Sequence, residues 1–456
     1  MTREELLSTH PDYDANIGEW QFFMRSYFGG RIYHEGDYLL QHPFESAGNY
    51  KRRKDIAYYY NYCGPIIDIM VSHLFRKPPK RDYGSFTDDR LFRSFLNDAD
   101  LEGLSFNQFM RDAQRFASIY GRVSIIIDKP VVVPGTRAVA EDYDIRPYLS
   151  LITPENLVDW NYIRLPSGRP VLDSVKVRED SLTYRIWNRE SWELWRIGAA
   201  GSDNDGDAVL IDSGVHGLGI VPIVNLYNKR SGVRMVGASD IQDIADINKN
   251  IYYLCSDAKE IIENTAFPML AIPYENAASS ASDGDREIGP RNILQFDPSE
   301  PGARPYWLEA PHSSLSEIRK WVRQDITEIH RIAKMGGVKS TEDYSQARSG
   351  VAIELEYQQL HSMLSEKADN IEQVESQLLN LFGMWQGVSF DGYVDYPDDF
   401  SVRELDRDIE RAIKALSVGV ESRTFKREVE KSIVGAVLTK LDGNKKREID
   451  EEIDNG

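Results

Sequence analysis

Ser239-Asp240-Ile241-Gln242, Ser314-Leu315-Ser316-Glu317 and Ala347-Arg348-Ser349-Gly350-Val351-Ala352 each stand at the head of a helical run, and the order of those runs decides the fold. The first two are capping-box patterns, a serine followed three residues later by Gln or Glu. The third opens an unbroken apolar periodicity to Gln386, on the order of 50 Å of helix at 1.5 Å per residue. Between the first two runs, Phe267 to Pro311 holds seven of the chain's twenty prolines and cannot be helical throughout. Between the second and third lies a polar loop bounded by Gly336 and Gly350. Long helices with a loop hung between them behave as struts, and struts imply a large assembly.

The long helix keeps a heptad. Tyr357, Leu364, Ile371, Leu378 and Trp385 form one row, and Ile353, Leu360, Val374 and Leu381 the other, interrupted by Lys367. Such a seam needs a packing partner along its length. The two shorter helices differ in charge. Asp240, Asp243, Asp246, Asp257, Glu260 and Glu263 against Lys249 and Lys259 give the first −4. Arg319, Lys320, Arg323, Arg331 and Lys334 against Glu317, Asp325 and Glu328 give the second +2. Helices of opposite sign can pair within a subunit or between subunits.

Outward from these struts, Asn16 to about Gly121 reads mainly as helix. Gly64-Pro65 is expected to divide an apolar run from Lys51 to Leu74, with Pro65 opening its second half. Phe106 to Tyr120 is amphipathic and ends at Gly121. From Arg122 short β-rich runs take over, at residues 123–127, 148–152, 171–177, 182–187 and 192–197, ending with Ile220-Val221-Pro222-Ile223-Val224-Asn225. No helical crossover fits between most of them, so the segment is mostly antiparallel. Met269 to Ile272 and Asn292 to Phe296 suggest small strands in the proline-rich insert. Val402 to Leu416 and Ser422 to Leu441 read as further helices before an acidic tail. The fold class is α+β.

The 456 residues suffice for two or three domains, and 41% hydrophobic with 28% charged residues is a globular composition. No apolar run approaches the roughly 18 residues of a membrane span, and no apolar segment follows Met1-Thr2-Arg3, so synthesis in the cytosol is expected. Cys63 and Cys255 are too few for a disulfide framework. The net charge of −19 excludes a protein that coats DNA through a basic surface. It leaves room for one that handles DNA without gripping it, since an acidic wall repels phosphate.

Catalytic signatures are missing. Gly336-Gly337-Val338-Lys339-Ser340-Thr341 echoes a P-loop, but Val338 precedes the lysine and a helix leads in. The eight histidines form no HExxH pattern, and Gly-x-Ser-x-Gly is absent. No cofactor or metal is expected. Trp187, Trp192 and Trp195 suit either a β core with cross-strand pairs or a sugar site with distant carboxylates; core is the favoured reading.

The order of motifs resembles the portal proteins of tailed bacteriophages. Gly237-Ala238-Ser239-Asp240 is similar to the opening of that family's first stem helix, Phe267-Pro268 to the start of its clip, and Trp307-Leu308-Glu309-Ala310-Pro311 to the clip's exit. Ser349-Gly350-Val351-Ala352 resembles the Ser-Gly-x-Ala signature after the tunnel loop. Tyr148-Leu149 through Ile152-Thr153-Pro154-Glu155-Asn156, with Trp160, and Asn61 followed by Leu74-Phe75-Arg76-Lys77-Pro78, resemble the wing. The resemblance implies a wing over 1–237 (helical to about 121, β-rich after it), stem helices at 238–266 and 312–335, a small α/β clip at 267–311, a tunnel loop at 336–350, a long wing helix at 351–387 and a helical crown with an acidic tail at 388–456.

It further implies a non-enzymatic homo-oligomeric ring, usually of twelve subunits, at one capsid vertex of the virion, assembled in the host cytoplasm. Double-stranded DNA would pass through it during packaging and ejection. Its partners would be a separate terminase ATPase, the major capsid and scaffolding proteins and a head–tail adaptor, with no membrane. Twelve copies would carry roughly −230. In the tunnel loop Lys339, Glu342, Asp343, Tyr344, Gln346 and Arg348 are the candidate channel residues. In the clip Arg286 and Arg291 are candidates for DNA, terminase or adaptor contacts, with solvated surface as the alternative. The competing readings are another ring-shaped virion connector and a carboxylate-dependent carbohydrate-active enzyme.

Overall fold

The computed structural model describes residues 1–130, 136–198, 207–266, 269–273, 293–296, 304–308, 313–334, 350–397, 400, 414, 422–437, 449 and 452–453. The chain divides into two compact units, Met1–Asp398 and Asp399–Gly456.

The first unit opens with helices α1 (Arg3–Leu7), α2 (Pro11–Phe28), α3 (Gly30–His34), α4 (Ala47–Ile56) and α5 (Cys63–Leu74). The break between α4 and α5 lies at residues 57–62, not at Gly64-Pro65 as the sequence suggests. Pro65 falls in the first turn of α5, where a proline is tolerated, and packing fixes the segment ahead of it. Tyr59 stacks on Tyr33 at 3.8 Å, and Asn248, fully buried, clamps the extended segment. Its Nδ2 donates to the Tyr60 carbonyl at 2.8 Å and its Oδ1 accepts from the Tyr62 amide at 3.0 Å. Strand β1 (Lys80–Asp82) and helices α6 (Arg90–Asn97) and α7 (Phe106–Tyr120) follow. A capping box of Ser105 with Gln108 starts α7, and Gly121 ends it in the left-handed region at φ 84°. Gly121 is irreplaceable for a second reason: a Cβ there would meet the Gly237 carbonyl oxygen at 2.3 Å.

Two sheets make the β region. Strands β2 (Arg122–Asp128), β3 (Tyr148–Ile152) and β9 (Ile223–Tyr227) pair antiparallel in the order β3-β2-β9, with helix α8 (Arg137–Asp142) between β2 and β3 in sequence. Inserted between β3 and β9 is a five-stranded antiparallel meander, β4 (Leu157–Arg164), β5 (Pro170–Arg178), β6 (Thr183–Asn188), β7 (Ser191–Ile197) and β8 (Ala208–Val215). Trp187 and Trp192 are cross-strand partners, 1% and 6% exposed, so both are core. The last predicted strand lies two to three residues further on, at β9, with the Pro222 carbonyl just ahead of it accepting from the Ile127 amide at 3.0 Å.

Helix α9 (Gln242–Ala266) leaves the sheets. Ser239 Oγ accepts from the Ile241 amide at 3.1 Å, a turn just ahead of the helix in place of the expected capping box with Gln242. Strands β10 (Met269–Pro273), β11 (Ile293–Phe296) and β12 (Tyr306–Leu308) form a small sheet in the order β11-β10-β12, with β10–β11 parallel and β10–β12 antiparallel. Helix α10 (Ser313–Ile332) returns, and α11 (Gly350–Gln386) runs 37 residues without a break. Strand β13 (Tyr393–Asp395) pairs with β1. One buried cluster links α2, α5, the meander, α9 and α10, through Trp20, Ile67, Trp187, Ile244, Ile251 and Ile329 among others. In the second unit, α12 spans Arg423–Val437.

Candidate functional site: the helical hairpin and its anchor

α9 and α10 form an antiparallel hairpin. Its register is set at the far end, where β10 and β12 pair Met269 with Leu308. Part-way along the helices, Asn250 Nδ2 donates to Asp325 Oδ2 at 2.7 Å. Ile244, Ile251 and Ile329 are fully buried in the same apolar cluster, with Val322, Ile326 and Ile332 packed against it. This is the face that the isoleucine spacing of both helices prescribes.

Within one chain, several of these charges find partners off the facing helix. The acid on α9 is answered by α4. Arg52 reaches Glu260 at 3.3 Å and Glu263 at 3.2 Å, and Arg53 Nη1 reaches Asp257 at 3.5 Å. Arg53 is 2% exposed and forks onto Glu45, at 2.8 Å from each nitrogen, while Nη1 donates to Ser256 Oγ at 3.0 Å. Hydrogen bonding from that guanidinium holds the Glu45 carboxyl down at about 2. On α10 two ion pairs stay within the helix, Lys320–Glu317 at 2.6 Å and Arg331–Glu328 at 2.6 Å. Arg319, Lys320, Arg323, Arg331 and Lys334 therefore form an exposed basic flank, with Trp321 55% exposed beside it.

The hairpin is tied to the long helix at its base. Lys367, the residue that interrupts the heptad row of α11, is 4% exposed. Its Nζ donates to both carboxylate oxygens of Asp240, at 2.9 and 2.8 Å, and to Asn228 Oδ1. Asn228 donates in turn to Asp240 Oδ1 at 2.9 Å and to the Ala238 carbonyl at 3.1 Å. Ser118 Oγ on α7 donates to Asn228 Oδ1 at 3.2 Å, and the Asp240 amide to the Ser118 carbonyl at 3.0 Å. One buried network thus joins α7, the chain beyond β9, the head of α9 and the middle of α11. Two turns further along, Glu375, fully buried, is held by Arg81 of β1 at 2.5 and 3.0 Å and by the Tyr396 hydroxyl at 2.7 Å. The seam of α11 finds its partner inside the chain: Leu360, Leu364, Ile371, Val374, Leu378 and Leu381 are all buried.

The sequence-derived channel residues Lys339, Glu342, Asp343, Tyr344, Gln346 and Arg348, and the clip residues Arg286 and Arg291, lie outside the described residues. What sequence reasoning missed is the anchor. Its one visible signal was a lysine on a heptad row, which marks either an exposed interruption or a buried partner for an acid. Among the described residues no three His, Cys, Asp or Glu side chains are grouped to hold a metal, and no helix is long and apolar enough to cross a membrane. Cys63 and Cys255 are free, and burial pushes the Cys63 thiol up to about 12.

No family model matches the sequence, and no curated protein matches it. Among solved structures the chain is similar to the neck of an empty GTA particle computed with C6 symmetry, at TM-score 0.44 and 13% identity over 80% of this chain and 89% of that one. It is also similar to the neck of a native GTA particle computed with C12 symmetry, at TM-score 0.39 and 12% identity over 97% and 94%.

Proposed function

We propose that this chain is a portal-type subunit, forming a closed ring at a capsid vertex through which double-stranded DNA passes during packaging and ejection. The observation that carries the reading is the antiparallel α9–α10 hairpin, tipped by a three-stranded sheet and anchored at its base to a single 37-residue helix. This supports the succession of stem, clip, stem and long helix to which the sequence motifs point. In this reading the exposed basic flank of α10 and scattered loop cations supply weak phosphate contacts, while the net charge of −19 per subunit keeps the duplex from settling. Lys339, Glu342, Asp343, Tyr344, Gln346 and Arg348 form the constriction, and Arg286 and Arg291 face terminase, adaptor or DNA. Twelve subunits are the expected ring number, with capsid and scaffolding proteins against the wing.

Negative-stain imaging with light scattering tests the ring. Closed rings of more than six subunits with a central hole are expected; a monomer or dimer across the micromolar range defeats the reading. Replacing Lys339, Tyr344 and Arg348 together is expected to impair DNA packaging or retention with rings intact. Packaging at the normal level would remove the loop from the channel.

A further inference from the structure

β9 is one edge of the three-stranded sheet, and α11 packs beside it. Between them is a cavity of about 210 Å³, walled by Tyr162, Asn225, Tyr227, Arg230, Gln373 and Gln377 among its lining residues. No carboxylate lines it, although the chain as a whole carries −19. Arg230 lies over the Tyr227 ring at 4.6 Å and Arg234 over the Tyr162 ring at 5.2 Å. Both arginines are exposed, and neither has an acidic partner among the described residues.

The wall is backed by a buried cation. Arg122 is 1% exposed, and its Nη1 donates to Asn225 Oδ1 at 3.2 Å and to Ser124 Oγ at 2.7 Å. Its Nε and Nη2 are buried without a hydrogen-bond partner. Among the described residues five basic side chains are buried. Arg53, Arg146, Lys176 and Lys367 each have a carboxylate within ion-pair distance, and Arg122 has none. Burial pushes its guanidinium down to about 10, which leaves it cationic at neutral pH. A buried charge with no counter-charge is costly to keep. Burial pushes the Tyr162 hydroxyl, on the cavity wall, above its usual range, and the nearby charges of Arg122, Arg234 and Arg230 oppose that rise.

We propose that this cavity is a binding site for a phosphate-type oxyanion. Guanidinium forks match such oxygens, and the neutral amides and hydroxyls around them donate without adding charge. At about 30 Å³ per water, the space takes one tetrahedral oxyanion with a few waters, and falls short of the usual size of a drug-like pocket. The phosphate comes either as a free ion or as a phosphodiester of a nucleic-acid backbone. Every residue named for the site belongs to one chain.

Titration calorimetry on the full chain at constant ionic strength, with inorganic phosphate as the probe, tests this. Saturable binding is expected in the wild type, weakened about tenfold in R230Q and at least as much in R122M. Because Arg230 is exposed and Gln373 is on a helix surface, R230Q and Q373L keep the test open if R122M folds poorly. A short DNA duplex added as competitor separates the sources: displacement of phosphate assigns the backbone, and undisturbed binding assigns the free ion. Absence of binding, or equal affinity in the wild type and all three variants, overturns the proposal. A general salting effect would act on wild type and variants alike.

Discussion

The junction of α9 with α11 and the face shared by β2 and β9 are both built around a buried cation, and they treat it in opposite ways. At the junction Lys367 meets Asp240 on both oxygens, with Asn228 closing the network. On the sheet Arg122 keeps two nitrogens unpartnered and has only neutral neighbours. A cation saturated by its own chain is a latch, since removing either half strands the other. A cation left unsaturated by its own chain is receptive. The difference separates what holds this fold from what it can bind.

The sharpest way to break that contrast is K367M. It strands Asp240 in the interior and is expected to cost about 3–5 kcal/mol in urea unfolding. The double variant K367M/D240L should recover more than half of that loss, because an apolar pair of similar volume replaces the ions. Equal losses in single and double variants would mean that Lys367 acts through packing alone.

A smaller effect is expected at Glu45, the partner of Arg53. Its carboxyl is held at about 2 in the fold, against about 4.3 in an unfolded chain. A depressed acid contributes stability that is present above the unfolded value and lost as pH falls through the folded one. E45Q should therefore be less stable than wild type near neutrality, with the gap closing between about pH 4 and pH 2. A gap that stays constant down to pH 2 would assign the loss to geometry rather than charge.

The smallest effect belongs to Arg122. R122M removes a charge with no counter-charge, and Ser124 Oγ still donates to Asn225 Oδ1 at 2.7 Å. The change in unfolding free energy should stay within about 1 kcal/mol of zero. A loss as large as that of K367M would show that Arg122 is a structural latch after all.

Periodicity made much of this legible in the sequence. The heptad rows of α11, the capped start of α7 and its end at Gly121, and the alternating runs of β3, β5, β6 and β7 all depend on neighbours within a few residues. Partners distant in sequence were not legible. Lys367 and Asp240 are 127 residues apart, and nothing local tells an acid at a helix head from a solvated cap. The extended conformation of Tyr58–Tyr62 was not legible for the same reason, since Asn248 of α9 decides it. β4 went unread although Val158, Trp160 and Tyr162 alternate, and β1 left no local signal, because three residues gain strand character only from β13. Of the site, the hairpin was visible, the anchor showed only as an interruption, and the unpaired Arg122 left no trace.

The insertion of the meander between β3 and β9 bears on the order of assembly. β9 cannot join β2 until the chain has returned from residues 153–222, and closing so long a flexible loop is entropically slow. The meander removes that obstacle because its strands pair with sequence neighbours, each contact being local. Once it has formed, only the short connectors at 153–156 and 216–222 remain to be ordered. The three-stranded sheet, and with it the cavity beside β9, then becomes the late product of an early-folding insert.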